Sequence, residues 1–215
     1  MVQAIPASSL TLFEVIEKFQ FQNTFEDEFE SFLKLEPLTE TEKAAALDLQ
    51  KVWQNYRLQD RTAEHYVKTA GASFLMWSCG YVAAGLELLL EEDIEEIELE
   101  DGDMVIRGRM DMMMWRPPQG QKTALCALII ENKKGGADTT VGVPQLLTYA
   151  STFLQYQPMV WGLVTNGYRY AFFQVQEGLF REFRPLYLFS PKDLEMLFQV
   201  AIAIRKIAIT DEKPG

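Results

Sequence analysis

Residues 107–149 read RGRMDMMMWRPPQGQKTALCALIIENKKGGADTTVGVPQLLTY. Residues 107–115 lack helix breakers apart from Gly108, and residues 124–132 are apolar and rich in β-favouring types, so two strands are expected. Arg116-Pro117-Pro118-Gln119-Gly120 supplies the turn between them. An antiparallel hairpin closing there brings Asp111 close to Glu131. Side chains alternate along a strand, so Glu131 and Lys133 share a face and Asn132 points elsewhere.

Paired carboxylates at a strand end suit Mg²⁺, a hard cation that keeps several waters and accepts phosphate oxygens. A lysine beside them can orient an attacking water or stabilise charge on a phosphorane. The bland alternative is a set of solvated charges where a strand emerges into a loop. The context weighs against it: Ala127-Leu128-Ile129-Ile130 places Glu131 at the mouth of a core strand, and Gly135-Gly136 break the strand beyond. A helix is expected to begin near Val143-Pro144, with Gln145 and Tyr149 four apart on one face.

An aspartate in one strand, Glu131-x-Lys133 ending the next and Gln145-x-x-x-Tyr149 on a helix resemble the PD-(D/E)-x-K nuclease superfamily. The Gln-x-x-x-Tyr element is shared by its RecB-like and type I restriction branches. Residues 159–174, a strand, a Thr165-Asn166-Gly167 turn and a second strand, are similar to the close of the nuclease domain in type I restriction motor (R) subunits and in compact cyanobacterial restriction endonuclease subunit R-like proteins. The resemblance covers roughly residues 61–174. Proline normally precedes the aspartate; here Met110 stands there.

The resemblance implies an α/β (α+β) fold, a restriction-endonuclease-like mixed central β-sheet flanked by helices. Residues 1–60 would form a helical N-terminal elaboration packed on a nuclease core over residues 61–215. It implies Mg²⁺, with Mn²⁺ as a substitute, held by Asp111, Glu131, the backbone carbonyl of Asn132 and Glu64 through water. Lys133 would position the nucleophile, Gln145 would bond near the metal or the DNA backbone, and Tyr149 would support it. The implied partners are DNA, a second copy of the chain, and a helicase or specificity protein. A rival reading is a catalytically silent module of the same fold that binds a protein partner through its acidic surface.

With 215 residues and 48% hydrophobic content, one substantial core is expected. Cys79 and Cys126 match no metal-ligand spacing, so neither a disulfide framework nor an iron–sulfur site is expected. No apolar run spans a bilayer and no leader pattern opens the chain, so a cytoplasmic location is expected. The net charge of −11 opposes DNA binding. Its distribution eases the conflict: Glu91, Glu92, Asp93, Glu95, Glu96, Glu98, Glu100, Asp101 and Asp103 cluster together, whereas Arg107, Arg109, Arg116, Lys122, Lys133 and Lys134 surround the proposed site. There is neither a phosphate-loop motif nor a Gly-x-Ser-x-Gly elbow, which excludes an ATP-driven translocase and a serine hydrolase of that type.

Along the chain, Thr11 with Glu14 and Thr39 with Glu42 have capping-box spacing, predicting helices over residues 11–20 and from residue 40 to about 56. Phe25, Phe29, Phe32 and Leu33 predict another helix over residues 25–35. Ala63, Tyr66, Val67, Ala70, Phe74 and Trp77 predict an amphipathic helix with Glu64 in its first turn, where it either complements the helix dipole or faces the metal. His65 reads as a surface or packing residue. Residues 80–90 are ambiguous between a helix end and a buried loop. A first strand is expected from Ile94, with Asp101-Gly102 turning it into a strand over residues 104–115. Asn166-Gly167 predicts a second hairpin, residues 180–188 an edge strand, and residues 191–207 a closing helix with Leu194, Leu197, Phe198, Ala201 and Ile204 inward. Residues 211–215 are expected to fray.

Overall fold

The computed structural model describes residues 3–94, 96–98, 104–118 and 124–210. The turns expected at Gln119-Gly120 and Asp101-Gly102, the acidic residues Glu95, Glu100 and Asp103, Lys122 and residues 211–215 lie outside the described residues.

The architecture is mixed α/β: a large mixed sheet flanked by helices on both faces. In chain order the elements are β1 (Gln3–Pro6), α1 (Leu12–Phe19), β2 (Gln22–Glu26) and α2 (Glu40–Leu58). Next, α3 (Glu64–Tyr66) runs through a π-helical stretch, Val67–Ser73, into α4 (Phe74–Ser78). Then come β3 (Glu87–Asp93), β4 (Ile97–Glu98), β5 (Met104–Arg107), β6 (Arg109–Arg116), β7 (Leu125–Asn132) and α5 (Val143–Leu154). The chain continues through β8 (Met159–Thr165), β9 (Arg169–Gln176), β10 (Leu179–Phe183), β11 (Leu186–Tyr187) and α6 (Pro191–Thr210).

The main sheet has the order β2-β10-β9-β8-β7-β6-β3, with β11 also paired to β9. Its β7–β8 and β10–β2 pairs are parallel and its other pairs antiparallel. Central strands buried on both faces read as near-continuous apolar runs, which is why β7, β8 and β9 show little alternation. One face packs Leu128, Ile130, Leu163 and Phe172 against Trp53, Val67, Leu75 and Phe198 from the helices. The other packs Met113, Ile129, Val164 and Phe173 against Val15 of α1 and Leu146 of α5. A second, three-stranded sheet has the order β1-β5-β4.

Both capping boxes form, at Thr11 with Glu14 and at Thr39 with Glu42. The closing helix buries all five residues expected to face inward. The expected helix over residues 25–35 is corrected: Gln22–Glu26 is a strand parallel to β10, and Phe29 and Leu33 lie buried within the irregular chain that follows. Phe29 stacks on Phe183 with ring centroids 4.7 Å apart, so its burial comes from a sheet residue and not from helical neighbours. The front end is therefore not wholly helical, because it contributes β1 and β2 as well as α1 and α2. Residues 180–188 give β10 and β11, but β10 is internal and β2 occupies that edge.

The main-sheet strand at the other edge is β3, which begins within the stretch that the sequence left ambiguous and runs three residues past it, and it pairs with β6. The strand expected from Ile94 shrinks to β4, paired with β5 in the small sheet. The single strand expected over residues 104–115 is broken at Gly108, with β5 and β6 in different sheets. The π-helical stretch also rotates the expected apolar face. Buried residues there are Val67, Gly71, Ala72, Leu75 and Met76, while Trp77 is 72% exposed. A π-turn takes up an extra residue, which displaces the stripe that a 3.6-residue period predicts.

The hairpin at Asn166-Gly167 forms, and Gly167 sits at φ 83 with Trp53 packed against its Cα. A Cβ added there would overlap the Trp53 ring. Gly167→Ala should therefore destabilise the protein by about 1–3 kcal/mol, the range for a strained left-handed residue, measured as a lower urea midpoint.

Candidate active site

The β6–β7 register pairs Met112 with Ile130, so the next residues outward, Asp111 and Glu131, face each other at the strand ends. The Asn132 backbone N–H donates to Asp111 Oδ2 at 2.7 Å, which fixes the aspartate to the partner strand. On the other side of β6, pairs form at Leu90–Met112 and Glu92–Met110, while the intervening Glu91 is held at φ 57. Strand alternation is interrupted at this point. Met110 and Met113 pack in the same core layer, although three apart.

Glu131 lies on the same side of β7 as Ile129, beneath α5, and is 1% exposed. Its Oε2 is 3.4 Å from Lys133 Nζ. Its Oε1 has no hydrogen-bond partner among the described residues. Lys133 Nζ donates to Gln145 Oε1 at 2.8 Å, Gln145 Nε2 to Tyr149 Oη at 3.3 Å, and Tyr149 Oη to the Arg109 carbonyl at 3.1 Å. This chain crosses from the strand through α5 and back to β6. Gly142, just before α5, lets that approach occur: a Cβ there would lie 2.7 Å from Val164 Cγ1 and 3.0 Å from Lys133 Cε.

Two further residues join that sequence reasoning missed. Lys68 Nζ is 3.3 Å from Asp111 Oδ1 and 2.8 Å from Glu91 Oε1. Lys68 lies four residues after Glu64, a spacing that shares a helix face and that offered a signal. Glu91 offered none, because its strand was not recognised. Glu64 lies at the surface, near enough to Asp111 and Lys133 to feel both; partial desolvation and then Asp111 raise its pKa, with Lys133 opposing. Thus Asp111, Glu131, Lys133, Gln145 and Tyr149 lie together, with Glu64 at the rim. The side chain of Asn132 points away, fully buried, and only its backbone serves the site.

Burial pushes Glu131 up to about 8, with the neighbouring Asp111 charge adding to the rise and Lys133 opposing it. Burial, then the Glu131 charge, pushes Tyr149 up to about 12, so the phenol stays a donor. A buried carboxylate that costs this much to ionise, with one oxygen unpartnered, is a site that a cation relieves. Among the described residues no three acidic, histidine or cysteine groups form an all-protein cage. The donor set fits a hard divalent ion held by one or two carboxylates and otherwise by water and substrate oxygens.

The chain matches no protein-family model and no curated protein. No helix among the described residues is long and apolar enough to cross a membrane.

With a carboxylate value of 4.5 in the unfolded chain and about 8 in the folded one, the folded protein holds an extra proton between those values. Stability from Glu131 is full below the lower value and falls as pH rises through the upper one. Glu131→Gln should remove that slope. In chelator its thermal midpoint should exceed the parent's above pH 8 and approach it near pH 5.

Proposed function

We propose that this chain is a divalent-metal-dependent nuclease that hydrolyses DNA phosphodiester bonds, built on a restriction-endonuclease-like fold. The observation that carries the reading is Glu131: buried, with Oε1 unpartnered, and flanked by Asp111 and Lys133 at the mouth of β7. The resemblance of Asp111, Glu131-x-Lys133 and Gln145-x-x-x-Tyr149 to the PD-(D/E)-x-K pattern supports it.

Asp111, Glu131 and the Asn132 carbonyl would hold Mg²⁺, or Mn²⁺ in its place, with Glu64 acting through water. When bound, the ion supplies Lewis-acid polarisation of a phosphate oxygen and a more acidic water. Lys133 orients the attacking water and offsets the charge that builds on the phosphorane. Gln145 keeps that ammonium directed at the site, since its Oε1 accepts from Nζ at 2.8 Å, and Tyr149 holds Gln145 in turn. Lys68 balances Asp111 and Glu91. Water oxygen bonds to phosphorus as its proton passes to solvent, the phosphorus–oxygen bond on its far side breaks, and the departing alkoxide takes a proton from solvent.

A second reading is a silent interaction module. It is favoured by the lysine already placed on each carboxylate and by the exposed Glu91, Glu92 and Asp93 along β3. A cleavage assay on single-stranded, duplex and branched DNA, with Mg²⁺, Mn²⁺ or chelator, separates the two.

The nuclease reading expects metal-dependent products. It expects their loss in Asp111→Asn together with Mg²⁺ binding by calorimetry, and a fall of roughly a hundredfold in turnover for Lys133→Ala. Lys134, exposed and directed elsewhere, is the control: Lys134→Ala should weaken binding without removing chemistry. Equal losses for both lysines would argue for general electrostatics, and an inactive parent protein under all conditions would move the case to the module.

A further inference from the structure

Beside the site lies a second groove of about 680 Å³, bounded by residues 57–62 on one side and the loop over residues 135–138 on the other. The two walls are joined where the Gly135 N–H donates to the Thr62 carbonyl at 2.6 Å. Gly135 is two residues beyond Lys133, and Thr62 two before Glu64. The two walls of the groove therefore belong to the segments that lead into Glu64 and out of Lys133.

Its lining is balanced in charge where the chain as a whole is acidic. Arg57 and Arg169 line it and Arg61 and Lys134 adjoin it in sequence, against Asp60 and Asp138. Asp138 is already engaged by Arg169 at 3.2 Å and by the Thr140 N–H at 3.0 Å. Arg169 Nε is buried without a partner among the described residues. The groove combines those cations with aromatic surface. Tyr187 is 50% exposed, and Tyr168 is braced from behind by Trp53 at 5.6 Å between ring centroids. Phe189 at the margin is 38% exposed and stacks with the Arg57 guanidinium, 5.6 Å from ring centre to Cζ.

Cationic side chains interleaved with part-exposed aromatic rings suit a strand whose bases are free to stack; a base-paired duplex keeps its base faces covered. We propose that this groove seats the unpaired bases of a single-stranded DNA segment running on from the phosphate at Glu131 and Lys133. The proposal rests on the nuclease reading above and deepens it by naming single-stranded or frayed DNA as the substrate class. Tyr187 and Tyr168 supply the stacking faces, and Arg57, Arg61 and Lys134 track the phosphates.

The test is fluorescence anisotropy with labelled dodecathymidylate and with a labelled hairpin duplex, in Ca²⁺, for the full chain and its variants. Tyr187→Ala should weaken dodecathymidylate binding at least fivefold, the lower bound for losing one stacked base. Tyr187→Phe, which keeps the ring, should retain it, and duplex binding should change little in either. Tyr156→Ala, an exposed tyrosine in a different groove, is the control and should bind as the parent does. Arg57→Ala should weaken binding and flatten its salt dependence. Equal affinity for both DNAs, no binding of dodecathymidylate, or an unchanged Tyr187→Ala would overturn the groove assignment, even if the protein cleaves DNA. Tight, Tyr187-dependent binding without cleavage in Mg²⁺ or Mn²⁺ would support the groove and defeat the nuclease reading.

Discussion

An ionisable carboxyl group held out of water at the end of a core strand constrains the whole candidate site. Glu131 reaches that position because β7 is covered on both faces, by α5 on one side and by the π-helical stretch and α6 on the other. Water cannot solvate it, so its surroundings must: Lys133 on one oxygen and nothing from the described residues on the other. Lys133 is itself committed through Gln145 and Tyr149 to the backbone of β6. The ammonium is thus positioned by α5, and its place follows from helix packing as much as from the strand that bears it. A charged group preorganised in this way loses little freedom when it acts.

The site was legible to the extent that it follows from alternation and local spacing. Glu131 and Lys133 share a face because they are two apart on a strand, and Gln145 reaches Tyr149 because they are four apart on a helix. Lys68 was legible only through its four-residue spacing from Glu64, and Glu91 was not legible, because it arrives by tertiary packing from a strand rich in glutamate. An element whose period is not 3.6 explains Trp77, which a 3.6-residue period turns inward and the π-helical stretch turns out. Helical spacing in Phe25, Phe29, Phe32 and Leu33 misled for another reason: the Phe29 and Phe32 rings pack on Phe183, far away in sequence, while Phe25 stays exposed on β2. Capping boxes and the Asn166-Gly167 turn read correctly because their energetics are confined to a few consecutive residues.

The acidity of the chain also has a place in the fold. On the outer edge of the sheet, β3 carries Glu87, Glu91, Glu92 and Asp93, all exposed. An unpaired edge strand invites pairing with other chains, and like charges along it discourage that. The negative charge that opposes DNA binding is therefore partly an edge-protection device, set apart from the arginines and lysine at the far side of the candidate site.

At the opposite edge, β2 lies parallel to β10, pairing Gln22 with Leu179 and Glu26 with Phe183. The strand β2 lacks this partner until residues 179–183 have been made. Until then, the hydrogen-bonding groups of β2 and the Phe29 ring that packs on Phe183 are without their native neighbours. Such distant pairing must be reached late and against loop-closure entropy. Closure of this edge is thus a timer on assembly: the sheet cannot be completed before β10, more than 150 residues after β2, has been made.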